Sequence, residues 1–466
     1  MGIERELDRP PDGHDSRMAA PPAERGTSEW SLDAALVFAV SVAAVALAMM
    51  WFIRTATVNL PFSDEWSQLQ ILQYDKRGES LLTALWAPMN GHRLVAVRLL
   101  FLGSFRFDHF NLVHLRFVHV IVLTITAVYL YLAWFRPNRT TILESWSAAS
   151  IPLLLFSLQQ WENIYLALSV GFFTVNLGAF LALGLSANAI AAERPSRGPL
   201  IASLLLASAS MCVMGSAILL WPVLVFMLIA SRRLGRHAGM ASLTGLMAVG
   251  WYWAYFHGMP GAGINVWYIV ESPLSSIVYL LRNLGTSLLP YGGARMASCL
   301  GALLAATYAV VLLRTMRGRQ PPTAPELYAL SLIAFSALFS VSLLATRLAV
   351  GTNQPDASRY ITCQIPGLFG VLLYVRHASA RSRRGRIALI VCLSLVSVSY
   401  GAGAVWVGLR AHDIGHYHQR LLEAVVNDEL TTEDYERFFT ARPTIDAGIR
   451  LLREEATGPF ARTVAR

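Results

Sequence analysis

The chain has 466 residues, 55% of them hydrophobic and only 14% charged, with a net charge of +9. Soluble domains carry about 25% charged residues, whereas here several charge-free stretches run for roughly 16 to 24 residues, enough to cross a hydrocarbon core of about 30 Å. That balance excludes a soluble enzyme, and the continuous apolar runs exclude a β-barrel, whose strands would alternate; the sequence describes an all-α, polytopic integral membrane protein.

Residues 1–29 hold seven acids and four arginines. They read as a disordered cytoplasmic tail rather than a signal peptide, because the apolar run after them is too long and lacks a cleavage pattern. Residues 30–408 form the transmembrane domain. Eleven spans are predicted, near 31–53, 113–135, 147–160, 165–190, 199–213, 217–231, 239–256, 297–314, 326–346, 361–376 and 387–408. Loops after the even-numbered spans read "RPNR", "ERPSR", "SRRLGR", "RTMRGR" and "RHASARSRRGR", together fifteen arginines. The four shorter loops on the other side hold four: Arg282, Arg295, Arg347 and Arg359. Basic residues concentrate in cytoplasmic loops, so the N-terminus is expected in the cytoplasm. The first loop (54–112), a second large loop (257–296) and a small helical tail (409–466) are then expected outside. This distribution makes the arginines topology signals and not a nucleic-acid surface.

The first outer loop opens with "NLPFSDEWSQLQ", residues 59–70. Ser63 has the chemistry of an N-cap, with Asp64 and Glu65 in the first turn behind it. Trp66, Leu69, Leu72 and Leu82 form an apolar stripe, which predicts a helix lying along the membrane surface. Acids in a first turn offset the helix macrodipole, and that alone accounts for both. A carboxylate at this place also suits general-base chemistry. In "WAPMNGHRLVAVRLLF", Gly91 permits a turn and places His92 and Arg93 where the next helix begins. A cation there opposes the helix dipole, so an anion or carboxylate partner is expected beside it; the alternative is a snorkelling pair.

"LQQWENIYLALSVGFF" puts Gln160, Glu162 and Asn163 at the turn between the third and fourth spans, either satisfying free helix ends or lining the same cavity as Asp64. Trp221-Pro222 implies a kink in the sixth span. "TNQPDASRYITCQIP" ends with Arg359 and Tyr360 at the outer end of the tenth span, where an arginine can hold a phosphate bidentately or, with the tyrosine, anchor the interface. In the tail, "TTEDYERFF" offers Thr431 or Thr432 as an N-cap. His109, His114 and His119 are five apart, so successive side chains rotate by about 140° and share no helix face. His412 and His416 have i,i+4 spacing without a third metal ligand. The four cysteines, Cys212, Cys299, Cys363 and Cys392, form no CxxC, and no nucleotide or hydrolase motif occurs.

In this layout, and in the series "DEW…NGHR…QQWEN…LLWP…SRY", the chain resembles the GT-C superfamily of membrane glycosyltransferases. More narrowly, it is similar to a group of bacterial membrane proteins described as glycosyltransferase-like. The resemblance implies a GT-C-like fold, with surface helices and catalytic acids in the first outer loop of a multi-pass protein of the bacterial inner membrane. It implies a polyprenyl-phosphate-linked sugar donor and a glycan, lipid or protein acceptor. Asp64 would be the general base, with Glu65 as its partner or substitute. Arg359, and also Arg93, would hold the donor phosphate. His92, Glu162, Asn163 and Tyr360 would shape the sugar or acceptor pocket. No cofactor is assigned: the DxD motif is missing, which leaves a divalent metal open. Membrane lipids are expected neighbours and nucleic acid is not a partner. Two other functions stay open, a lipid-linked-sugar flippase or transporter and a non-catalytic envelope-assembly subunit. A transporter should carry paired broken helices in two related halves with ionisable groups near mid-membrane, whereas here the polar residues gather at the outer ends.

Overall fold

The computed structural model describes residues 32–74, 77–136, 141–193, 197–259, 267–348 and 357–461; the expected N-terminal tail, residues 1–29, lies outside them. Every regular element among the described residues is helical, as a chain must be that satisfies its backbone polar groups within hydrocarbon. Seven stretches are long and apolar enough to cross a membrane: Ala34–Ala56, Leu112–Phe135, Ile142–Tyr165, Ala167–Ala191, Gly293–Arg317, Ala324–Arg347 and Arg383–Val426. Their outward residues, among them Val40, Leu47, Ile121, Leu303, Val310, Ile390 and Val398, are exposed and apolar. A water-soluble surface rarely shows apolar patches on that scale. Arg197–Met211 and Gly215–Ala230 are apolar but shorter, and Ala238–Phe256 and Ile361–Ser379 add two helices of 19 residues each.

Successive helices pack as antiparallel neighbours. Ala324–Leu343 lies along Ile361–Ser379, and Pro273–Thr286 along Gly293–Arg317. Two glycines set the second pair. A Cβ on Gly285 would stand 1.8 Å from the Ala297 carbonyl oxygen, and one on Gly301 would stand 1.7 Å from that of Leu281. Backbone therefore meets backbone, the small-residue packing of membrane helices.

At one end of the bundle the arginine-rich loops close the helices. Arg233 donates to the Ala191 carbonyl (2.7 Å), and Arg232 donates to those of Met316 and Gly318. Arg376 pairs with Glu144 at 2.6 Å and donates to the Trp134 carbonyl at 2.9 Å. The residues read as topology signals thus also satisfy carbonyls left free at helix C-termini, where positive charge is favoured.

The other end differs from expectation in two respects. Asp64, not Ser63, precedes the helix, which is a single turn, Glu65–Gln68, continued as a 3-10 turn, Leu69–Gln73; neither start is capped by a side chain. Ser63 instead takes a left-handed φ of 51°. The stripe is not one outward face: Trp66, Leu69 and Leu72 are buried against protein, while Leu82 sits exposed in a separate helix, Leu81–Trp86. The second difference explains the first. The helix Arg383–Val426 runs through residue 408 without a break for 44 residues, and the segment after it folds back over the first loop. Phe438 meets Trp66 edge-on at 5.6 Å, and Thr440 donates to the Ser63 carbonyl at 2.8 Å. In the helix Arg442–Glu454, a Cβ on Gly448 would come 2.7 Å from the Trp66 ring. Thr431 does cap the helix Thr432–Arg437, in a capping box with Asp434.

Candidate functional site

A cavity of about 620 Å³ lies where the first loop, the turn at residues 157–169, the turn Ser358–Tyr360 and the C-terminal segment meet. Its size falls within the range of roughly 300–1,000 Å³ typical of small-molecule sites. Aromatic rings of Phe62, Trp161, Tyr165, Tyr417 and Phe439 alternate around it with the charged groups of Glu162, Arg359, Arg410, Asp413 and Arg437.

Asp64 does not itself line this cavity; it follows Ser63, which does, and interacts electrostatically with Arg359 in the cavity wall. Its side chain is half-buried, and Oδ1 accepts a 2.8 Å hydrogen bond from Asn90 Nδ2. Asn90 and Gly91 both have positive φ, 46° and 74°, and the Met89–His92 bridge closes their turn. Burial raises the Asp64 carboxyl above its ordinary value, while the guanidinium groups of Arg347 and Arg359 and the Asn90 hydrogen bond pull the other way. A carboxylate short of solvent and near two arginines is a stronger base than one in water, set in a field that favours an anionic ligand.

Glu65 is placed differently from its neighbour. It is fully buried and does not line the cavity. Its carboxylate accepts from the amides of Phe62 (3.0 Å) and Leu168 (3.1 Å), with Arg116 at 4.0 Å. Burial raises this carboxyl too, against the pull of Arg116 and the amides. Arg116, also fully buried, donates to the carbonyls of Val58 (2.7 Å) and Tyr165. Together they tie the loop carrying Asp64 to the turn carrying Glu162. Glu65 is thus a clamp in this structure, and the role of second base has no access to the cavity.

Arg93 cannot serve as a phosphate holder in this arrangement. It is buried, and its guanidinium donates to the carbonyls of Tyr255 (2.8 Å), His257 (2.5 Å) and Trp86. The nearby Arg98 likewise spends its N–H groups on Gln68 (3.0 Å) and on the carbonyls of Ala84, Leu85 and Ala87. These carbonyls stand at the C-terminal ends of the helices Leu81–Trp86 and Ala238–Phe256, where backbone acceptors are left free, and each buried arginine offers five donors to them. His92 lies against Gly215, with Nδ1 buried and unpartnered; burial and the charge of Arg347 push its pKa down to about 4.

Of the remaining residues read from sequence, Glu162 and Arg359 come together at the cavity. Glu162 Oε2 accepts from the Arg359 backbone N–H at 3.0 Å. Burial opposes the Arg359 charge, but Tyr360, Glu162 and Asp64 hold its guanidinium above the ordinary value. Asn163 and Tyr360 stand behind this pair. Asn163 donates to the Arg359 carbonyl (2.7 Å) and to Thr362 (2.6 Å), while Tyr360 is buried, its ring 5.3 Å from the Arg359 guanidinium. They position Arg359 rather than face the cavity.

Sequence reading missed the wall built by the C-terminal segment. Arg410, Asp413, Ile414, Tyr417 and His418 recur at i, i+3, i+4, i+7 and i+8, the spacing of one helix face. That signal stands in the sequence, but it is legible only if the helix continues past 408. Among the described residues, no group of three His, Cys, Asp or Glu side chains is arranged to hold a metal ion. His412 lies edge-on to Trp51, and His114 pairs with Asp108. The chain matches no protein-family model, no curated protein and no solved structure.

Proposed function

We propose that the protein is a membrane glycosyltransferase of GT-C type. It moves a sugar from a polyprenyl-phosphate donor to an acceptor hydroxyl at the extracytoplasmic face of a bacterial inner membrane, with eleven spans and a cytoplasmic N-terminus. The observation that supports this most is a half-buried Asp64 that follows Ser63 at the edge of a mixed aromatic and charged cavity and feels the charge of Arg359, which lines it.

In this reading Asp64 takes the proton of the acceptor hydroxyl as its oxygen attacks the anomeric carbon. The bond from that carbon to the phosphate oxygen breaks, and the polyprenyl phosphate leaves with the electron pair. Arg359 offers paired N–H donors to the departing phosphate, and Arg347 adds positive charge near the same carboxylate. Asn90 fixes the Asp64 rotamer through its hydrogen bond. Glu65 and Arg116 hold the two halves of the site in register. An aliphatic donor tail fits the exposed apolar faces of the surrounding helices, which keeps the reacting phosphate at the level of the cavity.

The test is donor binding. Full-length protein in lipid nanodiscs should bind undecaprenyl phosphate, and Arg359→Gln should weaken that binding about 10- to 100-fold, the loss of a charged hydrogen-bonded pair. Binding unchanged in Arg359→Gln, with the fold intact, contradicts the assignment.

A further inference from the structure

The proposed transfer uses the bundle wall of the cavity. The opposite wall, supplied by the helix Arg383–Val426 and the segment after it, contributes Arg410, Asp413, Tyr417, Arg437 and Phe439 to the same space. Arg410, Asp413 and Tyr417 are spaced by three and four residues, so they stand one above another on a single helix face. Their groups are held in place. The Arg410 guanidinium lies 3.8 Å over the Trp406 ring and donates to the Trp406 carbonyl at 3.3 Å. Trp406 in turn stacks on Tyr291 at 3.5 Å. Arg437 sits over Tyr417 at 5.3 Å and pairs with Glu433. Stacking covers the flat faces of a guanidinium and leaves its N–H edges for a ligand. Asp413 makes no hydrogen bond or ion pair among the described residues, and its carboxylate lines the cavity.

We propose that this wall is the acceptor subsite and that the acceptor is a saccharide; the proposal rests on the glycosyltransferase reading and narrows it. Trp161, Tyr417 and Phe439 all line the cavity, and aromatic rings suit the apolar C–H faces of sugar rings. A carboxylate accepts from sugar hydroxyls, and guanidinium edges donate to ring and hydroxyl oxygens. The other acceptor classes match less well. Peptides are taken up at a free strand edge or as an amphipathic helix in an apolar groove, and the cavity offers neither. An acyl chain would strip water from Asp413 and Arg410 and return no hydrogen bonds. Because the lining carboxylate of Asp413 stands among the lining arginines and Arg437 pairs with Glu433, the wall is mixed in charge and suits a polyol.

The experiment uses full-length protein in lipid nanodiscs on an array of bacterial envelope oligosaccharides, with thermal unfolding of every variant measured in parallel. Wild type should bind at least one oligosaccharide class. Asp413→Ala and Tyr417→Ala should each raise the dissociation constant tenfold or more, while Tyr417→Phe, which keeps the platform, should restore most of the affinity. Undecaprenyl phosphate should still bind Asp413→Ala, since the donor wall is intact. Binding to no saccharide, or affinity unchanged in both alanine variants, overturns the proposal. Saccharide binding by a wild-type protein that does not bind undecaprenyl phosphate would remove the donor reading and leave this subsite standing.

Discussion

A carboxylate that is half out of water and accepts one side-chain hydrogen bond, from Asn90, is less comfortable ionised than in the unfolded chain. Because the folded-state pKa of Asp64 is raised above 3.8, the native state binds the proton more tightly than the unfolded state. Stability attributable to this group is greatest when the carboxyl is protonated and falls as pH rises from 3.8 through the raised value. Asp64→Asn should therefore raise Tm at neutral pH, with the gain shrinking toward pH 4 and below; a melting series against pH checks it. Activity should run the opposite way, failing as pH falls through the same raised value, because a protonated base accepts nothing. Glu65 behaves otherwise. Glu65→Ala leaves Arg116 buried without its partner, and stability should drop by about 3–5 kcal/mol, measured by thermal or denaturant unfolding in detergent. Adjacent residues alternate in environment on scales that composition does not record. The DEW segment was thus legible as two adjacent acids beside a tryptophan but not as one half-exposed acid beside one buried clamp. Arg93 was misread for a related reason: a cation near a loop turn looks ready for an anion, whereas here the free carbonyls at the end of the distant helix Ala238–Phe256 take its donors.

At the scale of elements, the C-terminal segment decides what the first loop can do. Loss of apolar character near Arg410 suggested the end of a span, but hydropathy marks where hydrocarbon ends and not where a helix ends. Nothing in the sequence from Arg410 to Val426 stops a helix: it contains Gly415 and no proline. The same helix therefore leaves the apolar zone and carries one face, Arg410 through His418, to the cavity. The helix Arg442–Glu454 then docks by close contact of Gly448 with Trp66. Gly448→Leu should overfill that contact and cost about 1–3 kcal/mol locally. The expected signature is faster proteolysis between residues 427 and 441 and a red-shifted tryptophan emission, with helix content unchanged. A variant that keeps wild-type protease resistance would show that the segment is held by something else. A helix N-cap at Thr431 or Thr432 and the turn at Gly91 were legible because each is a local rule. Packing of residues 438–448 onto residues 62–69 joins parts of the chain far apart in sequence, and no local rule reports it.

For the molecule as a whole, long apolar helices were legible from charge-free length alone, and seven of them satisfy that criterion in the structure. Shorter helices such as Arg197–Met211 and Gly215–Ala230 are apolar but below the spanning length, and in the proposed topology they cross within a bundle of longer neighbours. The C-terminal segment lies on the first loop, so the proposed topology needs both on one side of the membrane. Reporter fusions at residue 75 and at the C-terminus should both report the extracytoplasmic side; opposite answers would contradict the docking as well as the topology. A shared side, a shared cavity and a half-buried carboxylate near two arginines then converge on the central claim, that Asp64 is the base of a glycosyl transfer. The most direct measurement compares envelope glycans and glycolipids of a deletion strain complemented with wild type or with Asp64→Asn. Wild type should restore the missing glycan, and Asp64→Asn, inserted at wild-type levels and folded at least as stably, should restore none of it. Full restoration by Asp64→Asn would contradict the account.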